Sequence, residues 1–221
     1  ACEAMAELGE IPTAAVENIK KNARFDVARI NEIEKTTDHD IIAFLTNLEE
    51  NVGEDSKYIH KGLTSSDVKD TAYCIMMRDA AAIIEDDLHA FREVLRRRAE
   101  EFRHTPCIGR THGIHAEPMT FGLKLLLWSA EIERDIERLT RAKEVVSVGK
   151  LSGAVGTYSN IDPRIEELTC KKLGLTPVRL ATQVIQRDRH AEFVTTLAII
   201  AGTMEKIATE IRNLQRTDIR E

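Results

Sequence analysis

Phe193, Leu197, Ile200, Met204, Ile207, Ile211 and Leu214 follow one another at alternating steps of four and three. That strict 3.5-residue repeat puts them on one face of an α-helix and marks a coiled-coil-like seam. Phe121, Leu125, Trp128, Ile132, Ile136 and Leu139 form a second stripe, its step widened once. Ala72, Ile75, Met76, Ile83, Leu88, Phe91 and Leu95 form a third. Glycine and proline leave these regions alone. None occurs from Thr64 to Thr105, only Gly122 from Met119 to Val148, and only Gly202 from Val178 to Glu221. Three long helices are therefore predicted. At 1.5 Å per residue, one of about 38 residues is about 57 Å long, which calls for an elongated bundle.

The first 63 residues behave differently. Their apolar runs are shorter and are broken at Gly9–Pro12 and at Gly53. The predicted fold class is all-α, with a small N-terminal helical domain over 1–63 and a long-helix bundle over 64–221. No alternating run reads as a convincing strand; the best candidate is the short stretch Leu175 to Ile185. Small residues on other helix faces, among them Ala80 to Ala82, Ala198, Ala201 and Ala208, leave room for more than one neighbour per helix. Helices this long with several apolar faces imply association with further chains.

Composition narrows the class. The 221 residues carry 31 Lys+Arg against 37 Asp+Glu, a net charge of −6, and are 43% hydrophobic and 31% charged. A sizeable core is expected and global disorder is not. Mild acidity gives no footprint for nucleic acid, and Arg96-Arg97-Arg98 reads as a solvated helix face. No apolar stretch approaches the roughly 20 residues needed to span a bilayer. Cys2, Cys74, Cys107 and Cys170 are widely spaced without a C-x-x-C pair, which argues for reduced thiols in a cytoplasmic protein rather than a disulfide frame or zinc cage. The chain opens on Ala1, already within a helical pattern, and Arg220-Glu221 has no helix stop nearby. A fragment of a longer protein is expected.

Candidate chemistry gathers at the breaks before the long helices. In Gly62-Leu63-Thr64-Ser65-Ser66-Asp67, Ser65 or Ser66 suits an N-cap and Asp67 complements the helix dipole. The same segment can serve as an anion site, because free N–H groups and hydroxyls meet there. Gly109 to Pro118 carries His112 and His115, with Pro118 suited to the first turn of the next helix. The two histidines lack a third metal ligand. His112 is either a structural histidine or a general acid or base. Gly149 to Thr157 fails the phosphate-loop pattern, since no Gly-Lys-Ser/Thr follows its spaced glycines, and reads as flexible backbone lining a cleft. Asp38-His39-Asp40 can cap a helix or fix a histidine tautomer. Gln183 precedes the last helix, where its amide can reach a ligand.

Lys61 to Val68, Gly109 to Pro118, Lys150 to Thr157 and Gln186-Arg187-Asp188-Arg189-His190, in this order and at this spacing, resemble the adenylosuccinate lyase family of the fumarase/aspartase superfamily. The likeness runs over essentially the whole chain. It implies an all-α homotetramer whose active sites each draw on three chains. It also implies β-elimination of fumarate from adenylosuccinate, giving AMP, and from succinylaminoimidazole carboxamide ribotide, with no metal or organic cofactor. By the same resemblance His112 is the general acid, and His39 is a second catalytic histidine at the substrate. Thr64, Ser65 and Gln183 bind substrate, together with Asp38 and Asp40. Asp38 stands where the family often has Arg or Asn, so its contact is expected through its backbone. The family's catalytic serine, on a mobile Gly-Ser-Ser loop, has no counterpart in residues 1–221 and is expected beyond Glu221, so this chain alone is expected to be inactive. The alternatives are another fumarate-releasing lyase, such as argininosuccinate lyase, and a non-catalytic helical oligomerisation module. The module leaves the histidines and hydroxyls at three separate breaks without a purpose.

Overall fold

The computed structural model describes residues 1–221. In chain order the elements are α1 (Cys2–Glu7), α2 (Thr13–Asn22), α3 (Val27–Thr37), α4 (Asp40–Val52), a 3-10 turn (Gly53–Tyr58), α5 (Ser65–Glu101), β1 (Pro106–Thr111), β2 (Ile114–Thr120), α6 (Phe121–Val146), β3 (Val148–Gly149), a 3-10 turn (Ala154–Gly156), α7 (Pro163–Leu173), β4 (Thr176–Pro177) and α8 (Asp188–Leu214). The architecture is all-α with minor strands, as the apolar periods predicted. The contacts group into two compact units, neither of which is one continuous run of chain. The first comprises Ala1–Met76 with Ser147–Gln186, the second Met77–Val146 with Arg187–Glu221.

The first unit packs the short N-terminal helices and α7 around Ala4, Met5, Ile11, Val16, Leu151, Ile161, Ile165, Cys170 and Leu175. The segments expected as a cap therefore share a core with residues from 147–186. α3 is capped by Asp26, which accepts from the N–H groups of Ala28 and Arg29, and α7 by Asp162, with Pro163 at its first position. Gly149 is required by crowding: a Cβ there would lie 2.7 Å from Cys170 Sγ. Burial, followed by the charge of Glu166, pushes the Cys170 thiol up to about 12, so it packs as an inert apolar group.

The second unit is built on the three seams. Phe193, Ile200 and Ile207 of α8 are buried with Leu125, Trp128, Ile132, Ile136 and Leu139 of α6, and Leu214 is buried at the end of the same row. Ile211 departs from the pattern and is 51% exposed. α6 and α8 run antiparallel, laced by Lys124–Glu210, Glu131–Lys206 and Arg141–Glu192. On α5 the inward row is Met77, Ala81, Ile84, Leu88, Phe91, Leu95 and Ala99, while Met76 and Ile83 face outward. The 3.5 repeat anchored on Leu88 and Leu95 runs back through Ala81, a small residue that the hydrophobic pattern passes over in favour of bulkier neighbours.

The largest departure from the sequence reading lies between α5 and α6. Residues 106–120 form an antiparallel hairpin, with Pro106 opposite Thr120, Ile108 opposite Pro118 and Thr111 opposite Ile114. Pro118 thus sits in a strand, not in the first turn of α6. The turn is His112-Gly113, both at positive φ (53° and 74°), the geometry of a type I′ turn. Neither strand contains a buried residue, and β1 is half-buried along most of its length, so no one-sided apolar alternation existed to be read. His-Gly stands where Asn-Gly is the usual signal, and histidine is among the residues that tolerate the left-handed region. The stretch Leu175 to Ile185 yields only β4, a two-residue strand parallel to β3.

Candidate functional site

The start of α5 carries a dense polar network that draws on distant segments. Thr64, rather than Ser65 or Ser66, occupies the cap position before the helix. Asp67, in the first turn, reaches back and accepts from the Thr64 N–H at 2.9 Å, one half of a capping box. The threonine hydroxyl is engaged elsewhere, accepting from Gln183 Nε2 at 2.6 Å. Gln183 Oε1 in turn accepts the Val155 N–H at 2.7 Å. Three segments distant in sequence thus converge on one helix N-terminus, where the N–H groups of Ser65 and Ser66 have no intrahelical acceptor. Gln183, expected to reach a ligand, bonds within the protein to Thr64 and to Val155 of the 153–157 turn.

That turn is held under local strain. Val155 has φ 51° and ψ 13°, a left-handed conformation that costs a β-branched residue about 1–3 kcal/mol. Next to it, a Cβ on Gly156 would lie 2.8 Å from the carbonyl oxygens of both Ala181 and Thr182. The turn therefore lies directly against the segment that delivers Gln183. Beneath it, Asp67 and Lys150 form an ion pair at 2.5 Å with both side chains fully buried.

Asp38, His39 and Asp40 form the junction between α3 and α4. Asp38 ends α3 in a left-handed conformation with φ 50°. His39 caps α4: its Nδ1 accepts the Ile42 N–H at 3.3 Å, so the neutral ring carries its proton on Nε2. Of the two alternatives for the acid-His-acid triplet, the cap is the one observed, and the hydrogen bond at Nδ1 comes from a backbone N–H rather than an acid. Asp40 pairs with Lys69 of α5 at 3.1 Å, and this ammonium holds its carboxyl below the usual range. Lys69 thereby ties the junction to the same helix that Thr64 begins.

One residue of the region escaped the sequence reading. His60 closes the turn before Gly62, and its Nε2 is buried without a hydrogen-bond partner. Burial lowers its pKa, with Asp67 opposing and His39 adding to the shift. His60 lines a mostly apolar cavity of about 320 Å³ together with Leu63, Asp67 and Thr71. Its place four residues before Thr64, in the same glycine-marked break, was the available signal. His112 and His115 belong to the second unit. His112 stands exposed at the hairpin tip, and His115 lies opposite Arg110. Nowhere are three or more His, Cys, Asp or Glu side chains grouped to hold a metal ion, and no helix is long and apolar enough to cross a membrane.

Comparison with known proteins adds independent findings. The family model described as Lyase matches residues 1–221. Adenylosuccinate lyase of Synechocystis sp. strain PCC 6803 is 54% identical over 220 residues, covering 100% of the chain and 51% of that protein. Adenylosuccinate lyase of Bacillus subtilis strain 168 is 52% identical over 221 residues, again covering 51% of its length. The chain thus spans about half the length of the curated relatives it matches. Among solved structures, a fumarate lyase from Mesorhizobium sp. BNC1 superposes with a TM-score of 0.92 at 31% identity, covering 99% of this chain and 53% of that one. A 3-carboxy-cis,cis-muconate lactonizing enzyme from Pseudomonas putida gives 0.93 at 29% identity, covering 100% and 52%.

Proposed function

The chain belongs to the Lyase family, and from that membership we propose that its full-length protein eliminates fumarate from adenylosuccinate and from succinylaminoimidazole carboxamide ribotide. The geometric observation behind this reading is the convergence of Thr64, Val155 and Gln183 on an open helix N-terminus. The choice of substrate follows the curated relatives, which are 50–54% identical over essentially the whole chain.

In the proposed reaction a base removes the proton beside a succinyl carboxylate, the C–N bond breaks, a C=C bond forms, and the departing nitrogen takes a proton. Electrons balance without a redox partner. Charge builds on the carboxylate as the proton leaves. The Thr64 hydroxyl, the Ser65 hydroxyl and N–H, and the Gln183 amide are the donors assigned to it. One well-placed donor of this kind contributes about 3–4 kcal/mol. His112 is assigned as the acid that protonates the nitrogen, a role worth about 10²–10⁴-fold. His39, with Nδ1 engaged and Nε2–H free to donate, is assigned to orient the substrate beside Asp38 and Asp40. His60, its pKa lowered by burial, joins the set as a further histidine beside the helix start. The proton-abstracting serine is assigned to sequence outside residues 1–221. The working assembly is proposed to be a cytoplasmic homotetramer that shares sites between chains and needs no cofactor.

The test is fumarate release by the full-length protein from adenylosuccinate, from the ribotide and from argininosuccinate. Turnover of the first two supports the reading. Turnover of argininosuccinate alone replaces it with the neighbouring lyase, and turnover of none leaves the oligomerisation module. His112→Ala should remove most turnover while the tetramer persists.

A further inference from the structure

Resting on the lyase reading, we propose that Lys150 is a positioning residue: its buried ion pair with Asp67 sets the Thr64 hydroxyl and the Gln183 amide in the register that the substrate carboxylate requires. Both side chains are 0% exposed and meet at 2.5 Å. Asp67 is the point at which two segments are tied together. Its Oδ2 accepts the Thr64 N–H at 2.9 Å, from the start of α5, and the Gly153 N–H at 3.0 Å, from the strained turn. Its Oδ1 accepts Lys150 Nζ and, at 3.3 Å, the Ser152 N–H. Lys150 Nζ also donates to the Gly153 carbonyl at 3.4 Å. Its backbone is fixed separately, because Thr71 Oγ1 accepts from the Lys150 N–H and donates to its carbonyl, each at 3.1 Å.

The chain of contacts runs from Lys150 through Asp67 to Thr64 on one side. On the other it runs through Gly153 and Val155 to Gln183. A buried ion pair is poor evidence of stabilisation, since well-packed apolar residues often replace one at no loss. This one instead fixes the relative position of the two groups that meet at the helix N-terminus. Both side chains are fully buried, so both act through their neighbours.

The experiment uses the full-length protein with Lys150→Met and with the charge-neutral double variant Lys150→Met/Asp67→Asn. Melting temperature, KM and kcat for adenylosuccinate are measured, with hydrogen exchange of peptides spanning 64–68 and 152–156. The single variant leaves a buried carboxylate uncompensated and should melt lower. The double variant should recover most of that loss, yet keep KM raised at least tenfold and exchange at least tenfold faster in both peptides. Recovery of KM together with melting temperature would show a merely structural pair and overturn the proposal. So would failure of the double variant to assemble. If the unaltered protein does not turn over adenylosuccinate, the lyase reading itself has failed. The exchange data then decide the positional claim alone: faster exchange in the double variant upholds it, unchanged exchange overturns it.

Discussion

The helix start at Thr64 and the hairpin tip at His112 are held in opposite ways. Around Thr64, a fully buried carboxylate gathers an ammonium and three N–H groups from residues as far as 86 positions away. At His112 the position is set by two left-handed residues and the register of two strands without a buried residue. The first arrangement is fixed because Asp67, Lys150, Ser152 and Gly153 are buried, and loss of the carboxylate or the ammonium leaves its buried partner unpaired. The second depends on local backbone preference and has little packing to lose. For the proposed elimination the division is apt. Groups that stabilise developing charge need preorganisation, whereas an acid that delivers a proton needs access and a titratable ring.

Substitutions in the full-length protein test this contrast. Asp67→Ala should have the largest effect, about 3–5 kcal/mol of lost stability, because it strands the buried Lys150 ammonium; a denaturant midpoint near that of the unaltered protein would remove the network from its central place. Thr71→Val, which deletes the hydroxyl bonded to both backbone groups of Lys150, should cost about 1–3 kcal/mol in the same assay. Gly113→Ala should cost about 1–2 kcal/mol through its positive φ alone, since nothing lies within 4 Å of the added Cβ. A larger loss would reveal packing at the tip. His112→Asn should leave stability within about 0.5 kcal/mol, because Asn-Gly suits the type I′ turn, while turnover falls about 10²–10⁴-fold.

The pH dependence sharpens the same comparison. Burial lowers the pKa of His60 from its ordinary value of 6.5, so below that value the unfolded chain binds more protons than the folded one. The stability linked to His60 is therefore complete above about pH 6.5 and declines as the pH falls. His60→Asn should flatten this part of the acid limb of a stability–pH curve. A limb unchanged by the substitution would assign it to other groups.

Much of this arrangement was legible before any coordinates. The stretches nearly free of glycine and proline predicted α5, α6 and α8, and the α6 and α8 seams are buried nearly as the period required, with Ile211 as the exception. The hydroxyl cluster and Gln183 were singled out, and they meet. Other features were not legible, each for a definite reason. The hairpin has no buried face, so its strands carry no alternation. The phase of α5 was misread at Met76 and Ile83 because Ala81, the true seam residue, is small. Asp67 was read as a dipole complement and Lys150 as part of a failed phosphate loop. Their pairing spans 83 positions, and no local pattern records it.

Period and punctuation determined the helices because an α-helix is stabilised by neighbours three and four residues away, all present in a short window of sequence. The motif order carried the family resemblance in the same linear way. Which carboxylate is buried, which histidine loses its partner to burial and which glutamine reaches the Thr64 hydroxyl depended on groups brought together from distant segments. Desolvation and pairing are properties of that gathering, and they acquire a sign and a size only when the segments meet.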